Sequence, residues 1–224
     1  MSGQELKVER FFSSFAPQWD TLYGAKRSTL WRLFDATFRR DVYERYAFTL
    51  AAMGPDLRGK SVLDAGCGNG IYCFEAAKRG AARVLGVDVA PGMIQVARQG
   101  AEADKSRAVC EFRTGQFPQF AATLAGQEKF DFVILTGVLD YIEDTSGFLR
   151  AFRPITRGAV IASVPERQPL RYFLRRTRYR WLKRPDVYHY TRGQVDRMFA
   201  DAGFTIKDLT HWSHSGGCFM VVAV

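Results

Sequence analysis

The glycine-rich stretch from Ser61 to Gly70, SVLDAGCGNG, constrains the fold of this chain more than any other feature. Its first half is a short apolar run, which predicts a buried strand. Gly66, Gly68 and Gly70 then allow positive φ and let a ligand lie against bare backbone. The helix predicted from Ile71 to Arg79 would present free N–H groups and its positive dipole end to that turn. The stretch therefore predicts a strand, a binding turn and a helix in succession.

A second strand indicates what kind of ligand the turn receives. The turn has G-x-G-x-G spacing, which differs from the G-x-G-x-x-G of a dinucleotide site. Arg83 to Val87 forms the next apolar run, and Asp88 ends it, eighteen residues past Gly70. An acidic residue at about this distance binds a ribose diol in β-α-β nucleotide sites. Pro91 is placed to begin the following helix. A ligand that contains a ribose is therefore predicted across the ends of the first two strands.

The alternation of strands and helices continues along the chain and predicts an α/β fold with a doubly wound, mostly parallel sheet. The last of seven strands is expected to run antiparallel beside its neighbours. A helix is predicted from Arg192 to Ala202, with Thr191 as its N-cap. The remaining predicted strands are a run within 107–113, Asp131 to Leu135, Gly158 to Val164, Phe204 to Leu209 and Cys218 to Val224, with a turn over His211 to Gly217.

Three segments together resemble the signature segments of class I S-adenosylmethionine-dependent methyltransferases of the small-molecule type. They are VLDAGCGNG, GVDVAPGMIQVAR and FDFVILTGVLDYIED, and the resemblance spans roughly residues 58–165. It implies a Rossmann-like sheet and S-adenosylmethionine as cofactor. These motifs are specific for the cofactor and say little about the methyl acceptor.

The resemblance also implies which residues bind the cofactor. The glycine turn would hold the methionine part, Asp64 its ammonium group, and Asp88 the ribose hydroxyls. Family members often have an acidic residue where Gln116 stands, and Gln116 can accept the adenine amino hydrogen bond through its carbonyl. The implied cofactor residues are Asp64, Gly66, Cys67, Gly68, Gly70, Asp88, Val89, Met93, Gln116, Phe117, Thr136 and Gly137.

Candidate catalytic residues follow the fourth strand and the basic segment. Asp140 would orient the acceptor or act as a base, or else it is a helix-start acid that interacts with the helix dipole. Tyr141 and His189 are the other candidates, and a lone histidine in a loop is more often structural. The four cysteines show no paired zinc spacing, so no metal site is predicted.

Two segments outside the core are predicted to shape the acceptor site. Residues 1–56 would form an N-terminal helical cap, in which Trp19 and Tyr23 share one helix face and contact the acceptor. Residues 57–224 would form the cofactor-binding domain, with a basic lid insertion over residues 166–190. Within that insertion Arg175, Arg176 and Arg178 would bind an anionic acceptor. A helix with a solvated basic face is the alternative.

The composition bounds the partners and the compartment. A net charge of +9 and a pI near 9.6 favour an anionic partner: an acidic small molecule, an anionic membrane surface or a nucleic acid. No apolar run approaches the roughly 20 residues of a membrane span. The cysteines suit free thiols and the N-terminus lacks a signal-peptide core, so a cytoplasmic location is predicted.

The predicted function is therefore methyl transfer from S-adenosylmethionine to a small, anionic or amphipathic acceptor. One alternative is an RNA or other nucleic-acid methyltransferase, which the absence of an N/D-P-P-Y/F-type motif after the fourth strand disfavours. Another is a non-catalytic module that binds S-adenosylmethionine as a partner or scaffold; the intact glycine turn and Asp88 argue against it, because a scaffold has no need of them. The sequence assigns no oligomeric state.

Overall fold

The computed structural model describes residues 3–4, 6–13, 40–104, 106, 108–167, 186–212 and 217–224. A seven-stranded sheet in the order β3-β2-β1-β4-β5-β7-β6 forms its centre. The first five strands in this order are parallel, and β7 is antiparallel to both β5 and β6. The predicted fold class is confirmed. The strands are β1 (Ser61–Ala65), β2 (Arg83–Asp88), β3 (Cys110–Thr114), β4 (Phe130–Leu135), β5 (Thr156–Pro165), β6 (Ile206–Trp212) and β7 (Cys218–Ala223).

Helices cover both faces of the sheet because consecutive strand residues point to opposite sides. Val62 packs into a cluster with α1, α2 and α3, whereas Leu63 packs into a second cluster with α4, α5 and α6. Residues 6–13 are also helical. The helices are α1 (Arg40–Met53), α2 (Ile71–Lys78), α3 (Pro91–Ala103), α4 (Gln119–Leu124), α5 (Thr145–Arg150) and α6 (Arg192–Asp201), with 3-10 turns at Leu139–Tyr141 and Arg153–Ile155.

Local signals in the sequence set several helix ends. Gly70 stands at the start of α2 with φ of 83°. Thr191 and Gln194 form a capping box at the start of α6, so the predicted N-cap is confirmed. Asp144 accepts a hydrogen bond of 2.9 Å from the Gly147 N–H at the start of α5. The capping box at α6 and Asp144 at α5 each satisfy a backbone donor that would otherwise be left without a partner, whereas Gly70 forms no side-chain cap.

Strand β6 is longer than the sequence predicts. His211 and Trp212 were expected in a turn, and instead they pair with Phe219 and Cys218 of β7. The His211 ring stacks on Phe219 with centroids 4.9 Å apart, and Trp212 packs edge-on against Phe48 of α1 at 6.0 Å. Contacts with residues distant in sequence therefore extend the strand beyond its local signal.

Two aromatic rings fill space left by glycines between α2, α3 and the sheet. Phe74 and Phe112 pack edge-to-face with centroids 5.9 Å apart. A Cβ atom on Gly86 would lie 2.6 Å from the Phe112 ring, and one on Gly100 would lie 2.8 Å from the Phe74 ring. These rings and glycines therefore fit as one packed unit, which fixes α2 and α3 against β2 and β3.

The sheet order reverses beside β1. From β1 the chain proceeds outward through β2 to β3, then returns to β4 on the other side of β1. Such a reversal opens a crevice at the carboxyl ends of the strands, where ligands bind in doubly wound sheets. Among the described residues, no helix is long and apolar enough to cross a membrane.

Candidate active site

A cavity of about 430 Å³ lies at this crevice. The glycine turn, the end of β2, the start of α3 and the segment after β4 contribute to its wall. The ends of several strands therefore place residues from distant parts of the sequence around one space. Of the predicted cofactor residues, the lining includes Gly66, Cys67, Gly68, Asp88, Val89, Met93, Gln116, Phe117, Thr136 and Gly137.

The Asp88 carboxylate is held by two backbone donors. Gly68 N–H donates to Oδ2 at 2.9 Å, and Ala90 N–H donates to Oδ1 at 2.8 Å. Burial raises the pKa of Asp88, and these two hydrogen bonds act in the opposite direction. Each carboxylate oxygen accepts about two hydrogen bonds. Asp88 is therefore oriented by the turn and retains acceptor capacity for a diol.

The glycine turn and the segment after β4 touch each other. Gly66 N–H donates to Val87 O at 2.7 Å, and Gly66 has φ of 84°. A Cβ atom at Gly66 would collide with Cγ2 of Val138. Glycine is therefore required at position 66 both by the backbone conformation and by the proximity of Val138.

Two predicted cofactor residues lie outside the cavity lining. Asp64 is 2% exposed, and its Oδ2 accepts a hydrogen bond of 3.5 Å from Cys73 Sγ in α2. Burial raises the pKa of Asp64 to about 7. Gly70 stands against the rings of Phe112 and Phe74. The predicted contact between Asp64 and the cofactor's ammonium group therefore stays a prediction.

The segment after β4 is anchored on both sides. Gly137 N–H donates to Ser163 Oγ of β5 at 2.7 Å. The Thr136 hydroxyl lies 3.3 Å from the Thr49 hydroxyl of α1. Arg45, one turn earlier in α1, places Nη1 3.9 Å from where a Cβ atom of Gly137 would stand. This wall therefore combines backbone, a hydroxyl and a guanidinium group.

The predicted catalytic residues separate into two groups. Asp140 and Tyr141 line the cavity from the 3-10 turn after β4, whereas His189 is not among the lining residues. Asp140 is 7% exposed, and its backbone O accepts a 2.8 Å hydrogen bond from Tyr188 N–H. Tyr141 packs edge-on against Phe12 with ring centroids 5.6 Å apart.

The comparison with protein families decides the class of protein. A profile described as a methyltransferase domain matches residues 56–187, which is more than half of the chain. The chain belongs to the methyltransferase-domain family. Curated relatives of this methyltransferase include a ubiquinone biosynthesis O-methyltransferase of Acinetobacter baylyi, 29% identical over 69% of this chain and 67% of the relative. That of Psychrobacter arcticus is 32% identical over 71% of this chain, and the match spans 63% of the relative.

Solved structures share the fold of this methyltransferase. Magnesium protoporphyrin IX methyltransferase from Synechocystis PCC 6803, with bound SAH, has a TM-score of 0.74 at 22% identity, over 99% of both chains. An S-adenosylmethionine-dependent methyltransferase from Mesorhizobium loti has a TM-score of 0.61 at 20% identity, over 78% of this chain and 95% of that one. Family, relatives and fold together confirm the predicted class I methyltransferase, with S-adenosylmethionine as its cofactor.

Several lining residues of the methyltransferase were missed in the sequence. Val8 and Phe12 reach the cavity from the helical residues 6–13, and Val42 and Arg45 reach it from α1. The spacing of four between Val8 and Phe12 is a signal that places both on one helix face. The other missed residues are Asn69, Ile71, Tyr72, Val87, Gly115, Val138, Ile142 and Phe148.

The predicted acceptor residues Trp19, Tyr23, Arg175, Arg176 and Arg178 lie outside the described residues.

Proposed function

We propose that this methyltransferase transfers the methyl group of S-adenosylmethionine to oxygen of a small, amphipathic acceptor. The observation that carries the proposal is that one cavity joins two kinds of wall. The glycine turn and Asp88 form a polar wall at the strand ends, and Phe12, Ile142 and Phe148 contribute apolar surface. A polar cofactor and an apolar acceptor body would each meet matching groups there.

The polar wall fits the cofactor. Asp88 retains acceptor capacity for the ribose hydroxyls, and the turn offers backbone without side chains in the way. Val89 and Met93 supply apolar surface for adenine, with Gln116 and Phe117 at its edge. Arg45 would pair with a carboxylate beside Gly137. The bound cofactor supplies an electrophilic methyl group on a sulfonium leaving group, and the protein supplies alignment and a dry pocket.

The N-terminal residues support a role in excluding water, and we assign residues 1–56 to a cap over a cofactor-binding domain of residues 57–224. Val8 and Phe12 line the cavity, and Phe12 packs against Ala90 and Met93. The Gln4 side chain donates to Asp186 O at 2.9 Å and accepts from Asp186 N–H at 3.3 Å. These contacts join the N-terminal helix to the segment that ends the predicted insertion of residues 166–190.

The acceptor class rests on the charge and on the relatives. The net charge of +9 favours an anionic or amphipathic molecule and contact with an anionic membrane surface. The relatives' name, O-methyltransferase, favours oxygen as the methylated atom.

Tyr141 would contact the acceptor, and His189 stays a candidate that the sequence alone supports. The four cysteines are free thiols, which suits a reducing cytoplasm.

Two measurements test the proposal. Calorimetry with S-adenosylhomocysteine should show binding to the wild type, unchanged in the exposed control Asp208→Ala. Methyl-labelled S-adenosylmethionine incubated with fractionated cell extract should label low-molecular-weight material. No binding, or label found in RNA or protein instead, would show that the proposal is wrong.

A further inference from the structure

Tyr190 joins two parts of the sheet edge that are far apart in the sequence. Its backbone N–H donates to Pro165 O at 2.9 Å, and its carbonyl accepts from Arg167 N–H at 2.9 Å. Two residues earlier, Tyr188 N–H donates to Asp140 O at 2.8 Å, in the 3-10 turn after β4. This short stretch is therefore bonded to the end of β5 on one side and to the turn after β4 on the other.

The Tyr190 side chain reaches from this stretch to the start of α5. Its hydroxyl lies 2.9 Å from Ile142 O and 2.6 Å from the Thr145 hydroxyl, which itself lies 3.2 Å from Ile142 O. Two hydroxyl protons are shared among these three oxygens, so the Ile142 carbonyl accepts one of them in either arrangement. The arrangement with the shorter hydrogen bonds has Thr145 donating to Tyr190 and Tyr190 donating to Ile142 O. Burial raises the pKa of Tyr190, and the hydrogen bond with Thr145 acts in the opposite direction, as a bond donated by Thr145 would.

The position of Ile142 depends on these hydroxyl groups. Ile142 lies between the 3-10 turn Leu139–Tyr141 and α5. Its N–H donates to Leu139 O at 3.5 Å, which is long for a hydrogen bond. The hydroxyl groups of Tyr190 and Thr145 therefore provide the shorter hydrogen bonds at this residue.

Ile142 and Phe148 both belong to the apolar part of the cavity wall. Thr145 is the first residue of α5, and Phe148 lies one turn further along that helix. Tyr190 stands outside the described cavity lining, so it would act on a ligand only through the residues that it holds. Asp88, on the polar wall, is held by backbone donors of its own. The hydroxyl of Tyr190 is therefore connected to one wall of the cavity and separate from the other.

We propose that Tyr190 is a positioning residue that shapes the acceptor part of the cavity. This inference rests on the proposed function, in which the apolar wall binds the body of the acceptor, and it assigns the fit of that wall to one hydroxyl group. Without this hydroxyl, Ile142 O keeps only the 3.2 Å hydrogen bond from Thr145, and Ile142 is free to shift relative to the acceptor. Loss of the hydroxyl should therefore weaken binding of the acceptor and leave binding of the cofactor unchanged.

The first test compares Tyr190→Phe with Tyr43→Phe, a matched control that removes the same hydroxyl from an exposed tyrosine of α1. Methyl transfer is measured over a dilution series of the small-molecule fraction of cell extract, and the amount that gives the half-maximal rate is a relative KM. Tyr190→Phe should raise this KM by about 3–10-fold. Its maximal rate and its S-adenosylhomocysteine affinity should stay within about twofold, because the wall binds the acceptor alike before and during transfer. Tyr43→Phe should match wild type in all three quantities.

The second test asks whether Tyr190 acts through Ile142. Ile142→Ala alone should also raise the relative KM, and adding Tyr190→Phe to it should cause no further rise, because no side chain is left to position. Thr145→Val removes the second hydroxyl and should raise the KM by a smaller factor than Tyr190→Phe. Thr145→Ser keeps that hydroxyl and should match wild type. This pair of Thr145 variants examines the same carbonyl even if Tyr190→Phe does not fold.

Three outcomes would overturn the proposal while leaving the proposed function intact. The first is an unchanged KM in a Tyr190→Phe variant that is merely less stable in urea. The second is an equal loss of acceptor and S-adenosylhomocysteine binding, and the third is additive effects of Tyr190→Phe and Ile142→Ala. If the wild type binds no S-adenosylhomocysteine, or labels no small molecule, the proposed function itself is wrong and the role of Tyr190 fails with it.

Discussion

Replacing Gly66 with alanine separates backbone strain from steric contact in the glycine turn. Gly66 has φ of 84°, and a Cβ atom there would also collide with Cγ2 of Val138. Alanine at such a φ costs about 1–2 kcal/mol, of which the lower entropy of the unfolded chain offsets about 0.4–1 kcal/mol. Overpacking against Val138 adds about 1–3 kcal/mol. Gly66→Ala should therefore lower the free energy of unfolding by about 1–4 kcal/mol.

Gly54 provides a matched control. It has the same φ of 84°, and a Cβ atom there would meet nothing within 4 Å. Gly54→Ala should show the strain without the steric contact, and its destabilisation should be smaller than that of Gly66→Ala by about 1–3 kcal/mol. The double variant Gly66→Ala/Val138→Ala should be destabilised by less than the sum of its single variants, because Val138→Ala removes the colliding methyl group.

Urea unfolding measures these differences, and calorimetry with S-adenosylhomocysteine measures their effect on the site. Because Gly66 lines the cavity and Gly54 does not, the affinity should fall at least about tenfold in Gly66→Ala and stay unchanged in Gly54→Ala. Equal unfolding free energies and equal affinities for the two single variants would refute the steric argument.

Three further predictions concern other parts of the site. Asp88→Ala should weaken S-adenosylhomocysteine binding at least about tenfold by calorimetry, since it removes the ribose acceptors and frees Gly68 N–H; unchanged affinity would contradict this. The raised pKa of Asp64, about 7 against an ordinary 3.8, means that the folded protein retains a proton that the unfolded chain has lost between these pH values. Its contribution to stability should therefore fall as pH rises from about 4 to 7, by an amount on the order of a few kcal/mol. Urea unfolding across this range should show a slope that Asp64→Asn reduces, since Asp88, whose pKa is also raised, keeps its own contribution; an unchanged slope would count against the prediction. Gln4→Ala should speed both association and dissociation of S-adenosylhomocysteine in stopped-flow measurements, because it loosens the contact with Asp186. The exposed control Gln119→Ala should match wild type. Unaltered rates for Gln4→Ala would speak against the cap.

Features specified by adjacent residues were predicted well from the sequence. The first strand was expected over Ser61 to Asp64 and spans Ser61–Ala65, because a continuous apolar run bounded by a glycine turn is a local signal. Helix α2 begins at Ile71 as expected, directly after Gly70. The alternation of strands and helices then leaves few topologies, which is why the antiparallel last strand was also predicted correctly.

Features that depend on distant contacts were not predicted. Val8, Phe12 and Arg45 line the cavity only because the chain before the sheet folds back over the strand ends. The burial of the Asp64 side chain beside Cys73 of α2 was also not predicted, and its contact with the cofactor stays a prediction. The spacing of residues in the sequence predicts neither these cavity contacts nor the burial of Asp64, since both depend on which face of the sheet each other segment covers.

The packed unit of rings and glycines has a consequence for how related chains can diverge. Gly86 and Gly100 each leave a gap that a ring occupies, and Phe112 also stands against Gly70. A larger residue at one glycine is tolerated only if the facing ring shrinks in the same lineage, so these positions should change in pairs. A smaller residue at position 112 would make room at Gly86 and not at Gly70, whose φ of 83° strains any other residue whatever the space. Position 112 should therefore act as a permissive site, whose substitution must come first before β2 can accept a side chain at position 86.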